Sequence, residues 1–98
     1  MEFKPNPKAN SNGCALAKCI DISDSQLKRA FGDYHRDWDF DEPEKGYGPW
    51  YGFEADDGQV ITLYTRFGKW RIGAIGAWGK DNELVTEFER WLCQQLGD

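Results

Sequence analysis

The chain has 98 residues, of which 40% are hydrophobic and 15% aromatic, and its net charge is −5. A chain of this length forms one domain, because it buries only somewhat over ~60% of its unfolded surface and cannot divide that core. The acidic balance argues against nucleic acid as a partner, since such binding needs cations along the surface.

The expected location is the cytoplasm. The three cysteines are an odd number, and no secretory leader precedes them. Free thiols are typical of a reducing compartment. No apolar run reaches the roughly 18 residues of a membrane-spanning helix, so a membrane is not an expected partner either.

The N-terminal part of the chain divides into an arm and the start of a domain. Residues 1–12 combine prolines, asparagines and lysines without periodicity, which predicts a flexible arm, and residues 13–98 are expected to form a single domain. The apolar run 14–20 has the length of a strand. Ser23 and Gln26 have the spacing of a capping box, which predicts the start of a helix.

The middle of the chain is predicted to form a long loop followed by a meander. Gly32 ends the helix, and residues 33–48 have acids and turn residues without a period, so they are expected to form a loop. The run 50–73 then has three alternating segments joined by two short turns, which predicts three antiparallel strands. The pair Asp57-Gly58 favours a type I′ turn.

The pattern also predicts which strand positions face the helices. Ile61 and Leu63 are expected on the helix-packed face, with Trp70 or Ile72 opposite them. A second helix should begin near Asp81 or Asn82 and end at Gly97, with one wide apolar face made of Leu84, Val85, Phe88, Trp91, Leu92 and Leu96. The predicted fold class is therefore α+β: a small antiparallel sheet in the order β-α-β-β-β-α, with two helices packed on one face.

The cysteines and the single histidine do not have the spacing of a zinc site. Structural zinc ligands are usually two to four residues apart, whereas Cys14 and Cys19 lie in an apolar strand at an odd separation that points them to opposite faces. Cys93 and His35 lie far away in the sequence. We expect these cysteines to be small buried hydrophobes, with no metal and no cofactor.

A second candidate metal site is the alternation of Asp37, Asp39 and Asp41, which resembles the opening of a calcium loop. That template needs Gly at its sixth position and Glu at its twelfth, and this chain has Glu42 and Gly48 there. No nucleophile, base or carboxylate pair stands out elsewhere. The protein is therefore not expected to be an enzyme, and no catalytic residue is predicted.

One segment combines aromatic and acidic side chains in a way that suits a binding surface. Interfaces favour large rigid aromatic residues, and acids beside them would suit a basic patch on a partner. The predicted partner-binding residues are Asp37, Trp38, Asp39, Phe40, Asp41, Tyr47 and Trp50. The competing interpretation is that several of these aromatic side chains pack onto the core.

Two functions follow from this surface. The favoured one is a non-enzymatic interaction module that binds a host protein or a second copy of itself, the latter as a homodimer. The alternative is a small-ligand or carbohydrate-binding domain in which exposed Trp38, Trp50 and Trp78 provide stacking platforms.

Four motifs occur in a fixed order along the chain: C-A-L-A-K-C-I at 14–20, L-x-x-x-F-G at 27–32, Trp50 followed by D-G-x-V-x-T-x-Y at 57–64, and W-x-I-G at 70–73. This order resembles a pattern in small uncharacterised proteins of phages and other mobile elements, which typically read T-S-L-x-G-x-I, L-x-x-x-F-G-x-P, E-W-x-x-x-F-x-D-G-T-x-x-T-I-Y and W-H-I-G-G. The chain departs from it at Tyr34, Arg71 and Ala74. The resemblance implies an accessory protein such as a phage or gene-cassette product, and it carries no catalytic residues.

Overall fold

The computed structural model describes residues 2–10, 13–37, 43–75 and 82–97. These residues form an antiparallel sheet with two helices on one of its faces, which confirms the predicted α+β class. The strand order is β1-β4-β5-β6-β2, and a further two-residue strand, β3, pairs with β4. The elements are β1 (Phe3–Pro5), β2 (Cys14–Cys19), α1 (Asp24–Phe31), β3 (Arg36–Asp37), a 3₁₀ turn (Pro43–Lys45), β4 (Tyr47–Ala55), β5 (Val60–Arg66), β6 (Lys69–Ile75) and α2 (Glu83–Gln95).

The predicted meander is present as β4, β5 and β6, and its core face is the predicted one. Leu63 pairs with Ile72 across β5 and β6, and both side chains are fully buried, as is Ile61. Since alternate residues of a strand share a face, this register places Thr62 and Tyr64 on the side away from the helices. One face of the meander therefore contributes to the core, and the other face points away from the helices.

The two turns of the meander are of different types, and the type I′ prediction for Asp57-Gly58 is wrong. Gly58 has a φ of 89°, but Asp57 is not among the described residues with positive φ, and the Gly58 amide donates to the Ala55 carbonyl at 2.9 Å. This is a three-residue loop with glycine at its left-handed position. The turn with two positive φ angles is instead Phe67-Gly68, at 54° and 76°.

Both helices begin at the predicted caps. The Ser23 hydroxyl accepts from the Gln26 amide at 3.2 Å, and the Gln26 side chain accepts from the Ser23 amide at 2.9 Å, so the capping box is complete. For α2, the Asn82 side chain accepts from the Val85 amide at 2.9 Å. Gly32 follows α1 with a φ of 80°, a value that only glycine adopts easily.

The core lies between the helices and the sheet and is rich in aromatic rings. The ring centres of Phe53 in β4 and Phe88 in α2 are 5.2 Å apart, and those of Phe31 in α1 and Trp91 in α2 are 5.8 Å apart. Leu27 is fully buried beneath them. The predicted apolar face of α2 is confirmed, because its six residues are buried or pack against this cluster. These contacts fix both helices to the same side of the sheet.

The prediction of a flexible arm over residues 1–12 is wrong for its described part. Phe3–Pro5 pairs with β4, and the Phe3 side chain is only 6% exposed, with its ring 5.2 Å from that of Phe88. A single buried phenylalanine contributes about 2 kcal/mol, which is enough to dock a short strand that composition alone marks as disordered.

The predicted loop over 33–48 is also partly ordered. Arg36 pairs with Trp50, and the His35 amide donates to the Trp50 carbonyl at 3.0 Å. Tyr47 already belongs to β4, whose register shifts between Tyr47 and Trp50 around Pro49. A proline in a strand removes one hydrogen-bond donor, so it is tolerated at such a bulge. Because of Pro49, the sequence pattern does not predict a strand in this part of β4.

Among the described residues, no helix is both long enough and apolar enough to cross a membrane. The longer of the two helices, α2, has 13 residues.

Candidate functional site

The face of the sheet that points away from the helices, here called the open face, collects side chains from three strands. Trp50 of β4 pairs with Tyr64 of β5, and Tyr64 pairs with Arg71 of β6. Tyr47 and Arg66 pair in the same way. We call Tyr47, Tyr64, Arg66 and Arg71 the arginine–tyrosine ladder.

Direct contacts join three side chains of the ladder, those of Tyr47, Tyr64 and Arg66. The rings of Tyr47 and Tyr64 are 6.1 Å apart, and the guanidinium carbon of Arg66 lies 4.7 Å from the centre of the Tyr47 ring. Arg66 Nε also donates to the Lys45 carbonyl at 3.1 Å. A cation over an aromatic face contributes about 0.5–1 kcal/mol at such exposed sites. Arg66 is therefore held in place by a ring and a carbonyl.

Glycines on the open face make room for aromatic rings. A Cβ at Gly73 would lie 3.1 Å from Cε1 of Tyr64, and a Cβ at Gly52 would lie 2.5 Å from Cη2 of Trp50. Either methyl group would have to displace the ring beside it. The two rings therefore lie close against the sheet. Glycine at positions 52 and 73, which are inside strands and not in turns, leaves the space that these rings occupy.

Trp50 is not the exposed partner contact that the sequence predicts. Its side chain is only 2% exposed, because the Arg36 guanidinium lies 5.7 Å above its ring and the His35 ring packs at 6.1 Å. For the same reason Trp50 cannot act as an open stacking platform for a sugar. The competing interpretation, that some of these aromatics pack onto the fold, is correct for this residue.

The other predicted partner-binding residues have mixed outcomes. Tyr47 is partly buried and belongs to the ladder, so the structure places it on the candidate site. The backbone of Asp37 pairs with Pro49 at the end of β3. Trp38, Asp39, Phe40 and Asp41 lie outside the described residues, as does Trp78.

Sequence reasoning missed three residues of this face, Tyr64, Arg66 and Arg71, and Arg71 is the one with an unusual environment. It is partly buried, and its Nε is fully buried without a hydrogen-bond partner. A buried donor without an acceptor costs about 1–3 kcal/mol, and more for a charged group. A signal for this site was present in the sequence, because a two-residue turn at Phe67-Gly68 fixes the register that sets Arg71 opposite Tyr64.

Tyr64 stays protonated at neutral pH. Partial burial raises its pKa, and the neighbouring Tyr47 raises it further, while Arg71 and Arg66 act in the opposite direction. Its hydroxyl can therefore donate a hydrogen bond on the face of the sheet from which the Arg71 side chain also projects. The ladder combines a fixed positive charge with a neutral donor.

The cysteines differ from the prediction in their orientation. Cys14 pairs with Ile75 and Cys19 with Arg71, two β6 residues on the same face, because β2 has a bulge between Leu16 and Lys18. The expectation of opposite faces assumed a regular strand. The expectation of small buried hydrophobes is also wrong, because Cys19 and Cys93 are exposed and Cys14 is only partly buried. All three cysteines are free, and burial raises the pKa of Cys14. Within the described ranges, no three His, Cys, Asp or Glu side chains lie close enough to hold a metal ion.

His35 has a structural contact rather than a place in the ladder. Its Nδ1 accepts from the Gly52 amide at 2.9 Å, and its ring packs 5.1 Å from that of Tyr51. Burial lowers its pKa, so the neutral form that can accept this bond is favoured. His35 thereby joins the segment before β3 to the middle of β4.

No protein-family model matches this chain, and neither a curated protein nor a solved structure matches it. The resemblance to mobile-element proteins therefore stays a prediction from the sequence motifs.

Proposed function

We propose that this protein is a non-enzymatic interaction domain that binds another protein through the open face of its sheet. The observation that carries this proposal is the arginine–tyrosine ladder, in which residues from three strands form one contiguous surface. Tyrosine and arginine are the residue types that most often dominate binding energy at protein interfaces. Their rings and guanidinium groups bury much area at a small entropic cost.

Exposed apolar side chains at both ends of β6 also favour a protein partner. Among the described residues, the large hydrophobic side chains that are exposed are Phe67, at 71%, and Ile75, at 59%. Phe67 lies in the turn before β6, with the Arg66 guanidinium 5.4 Å from its ring, and Ile75 is the last residue of that strand. Apolar groups beside a polar centre are typical of an interaction patch.

The charge of this face favours an acidic partner, the opposite of what the acidic segment 37–44 suggests. Arg66 and Arg71 belong to the ladder, and Arg36 lies over Trp50 beside it. Glu54, an acid on this face, already accepts a hydrogen bond from Asn6 at 3.0 Å. Complementary potentials steer association and suppress wrong partners. In a chain with a net charge of −5, such a cationic face is a distinct feature.

The proposed partner is a different protein rather than a second copy. A two-fold dimer through the ladder would set arginines against arginines, and like charges at an interface cost several kcal/mol. The edge of β2 is also protected against pairing by its bulge and by Lys18, which forms an ion pair with Glu89 at 3.2 Å. Light scattering should therefore give the mass of a monomer.

We also propose a cytoplasmic accessory role in a mobile element. The three free cysteines fit a reducing compartment, and the motif order resembles that of phage and gene-cassette proteins.

The proposal is tested by capture with two arginine variants of equal charge change. Arg66→Glu reverses a charge in the ladder, whereas Arg90→Glu reverses one on the exposed surface of α2, where Arg90 pairs with Glu87 at 3.0 Å. Tagged proteins are cross-linked in cells of the source organism, and the captured proteins are identified by mass spectrometry. We expect a defined protein that wild type and Arg90→Glu capture and Arg66→Glu does not. Equal capture by all three, or by none, would contradict the proposal.

A further inference from the structure

We infer that Arg71 and Tyr64 form a carboxylate-binding position within the arginine–tyrosine ladder, which receives an aspartate or glutamate side chain of the partner. This inference rests on the proposed function, because it names the chemical group that the partner presents at the centre of the ladder.

The first argument is the unpaired guanidinium of Arg71. Its Nε is fully buried and has no acceptor, and no hydrogen bond or ion pair involves the rest of its guanidinium in the described part of the chain. Native proteins rarely leave a charged donor in this state, and an absent ligand is one of the few physical explanations. A carboxylate that first contacts a terminal nitrogen, and towards which the side chain turns Nε as the partner docks, would supply the missing acceptor in bidentate geometry.

The second argument is the position of Tyr64 opposite Arg71. The two residues are directly opposed across β5 and β6, so their side chains leave the same face of the sheet as neighbours. The ring of Tyr64 is confined between Gly73 and the ring of Tyr47. A ring held in this way offers its hydroxyl at low entropic cost, so one carboxylate can accept from both residues.

The third argument concerns the kind of anion. Of the two arginines in the ladder, Arg66 already donates its Nε to the Lys45 carbonyl and lies over the Tyr47 ring, whereas Nε of Arg71 has no acceptor. A nucleic acid chain needs a track of several cations to release its counterions, and the net charge of −5 opposes it. A single guanidinium with a hydroxyl beside it instead suits one isolated carboxylate.

The test follows the Arg71 side chain directly by nuclear magnetic resonance. The Nε–Hε signal of Arg71 is assigned by its absence in Arg71→Lys, and a short oligoglutamate peptide is titrated into the labelled protein at millimolar concentration. We expect this signal to move downfield while that of Arg90 stays in place. Arg71→Lys should weaken peptide binding by about 10- to 100-fold, because it keeps the charge and loses the bidentate fork.

A milder variant keeps the test valid if Arg71→Lys unfolds. Tyr64→Phe removes only the hydroxyl, and it should weaken oligoglutamate binding by about three- to tenfold. Wild-type affinity in Tyr64→Phe would remove that hydroxyl from the site and overturn the two-residue assignment.

The other outcomes separate the inference from the proposed function. A response of Arg71 to inorganic phosphate or to an oligothymidine, without a response to oligoglutamate, would overturn the carboxylate assignment. If Arg71 responds to none of these probes, the inferred carboxylate site is wrong. In that case the proposed function would still be supported if Arg66→Glu loses protein capture. Binding of oligoglutamate at Arg71 with unchanged capture in Arg66→Glu would contradict the proposed function instead.

Discussion

Replacing Asp24 by alanine should lower the stability of the protein more than the loss of an exposed acid normally does. One oxygen of the Asp24 carboxylate accepts from Nε1 of Trp70 at 2.7 Å, and the other accepts from the Tyr34 hydroxyl at 2.7 Å. Trp70 is only 3% exposed, so its N–H cannot readily turn to water when the acceptor is removed. The carboxylate thus ties the first residue of α1 to β6.

The expected cost is about 2 kcal/mol. A buried donor left without an acceptor contributes about 1–3 kcal/mol. The loss of a negative charge from the first turn of a helix adds roughly 0.3–1 kcal/mol, and the exposure of the carboxylate keeps the remaining electrostatic share small. For a domain of about 100 residues, this corresponds to a fall in Tm of roughly 10 °C.

Urea denaturation followed by tryptophan fluorescence measures this change. Asp24→Asn retains one oxygen acceptor and should cost about half as much as Asp24→Ala. Asp21→Ala removes the same charge from an exposed residue just before α1 and serves as the matched control. Equal stability of Asp24→Ala and Asp21→Ala would refute the reasoning.

The pKa of the same carboxylate determines how the stability of the protein changes at acidic pH. The hydrogen bonds from Tyr34 and Trp70 lower the pKa of Asp24 below its ordinary 3.8. Its contribution is complete above 3.8 and is lost as the pH falls through the lower folded value. The stability difference between wild type and Asp24→Asn should therefore be constant near neutrality and shrink below pH 3.8.

Three further predictions concern His35 and the backbone. Burial lowers the pKa of His35 below 6.5, so the free energy of unfolding should fall as the pH drops from above 6.5 through the folded pKa, and urea titrations of His35→Gln should lack this slope. Gly52→Ala should lower the free energy of unfolding in urea by about 2 kcal/mol, because the new Cβ would lie 2.6 Å from the Asn6 carbonyl oxygen. Gly58→Ala should lower it by about 1 kcal/mol, because the new Cβ has open space and only the φ of 89° is unfavourable. Phe67→Asn should raise stability by about 0.5–1 kcal/mol, because asparagine tolerates the φ of 54° in a type I′ turn, and an unchanged or lower Tm would contradict this.

The parts of the fold that the sequence predicts are those with a local cause. Ser23 and Gln26 form their capping box from atoms three residues apart, and the alternation in β5 puts the apolar Ile61 and Leu63 together on one face, which is the buried one. The fold class follows from such elements. It needs only the number, type and apolar faces of the helices and strands.

The parts that the sequence misses depend on contacts between distant segments. Composition predicts that residues 1–12 form an arm, but Phe3 packs against Phe88 and β1 pairs with β4. The bulge in β2 turns Cys14 and Cys19 to the same face, and no local signal marks it. The dipeptide Asp57-Gly58 is the better type I′ sequence, but the two-residue register is found at Phe67-Gly68 instead.

The candidate site shows the same division. The aromatic residues around Trp50 draw attention in the sequence, but only tertiary packing decides that Trp50 is buried under Arg36 and His35. The ladder likewise depends on the pairing of three strands, which brings Tyr47, Tyr64 and Arg71 together from positions far apart in the chain. The sequence by itself determined the elements and the core face, because hydrophobic periodicity and capping are local properties. The turn at Phe67-Gly68 indicates that Arg71 lies opposite Tyr64, but the tertiary structure decided which side chains of β4 join them on the open face, because that depends on strand register, where a shift of one residue exchanges the two faces.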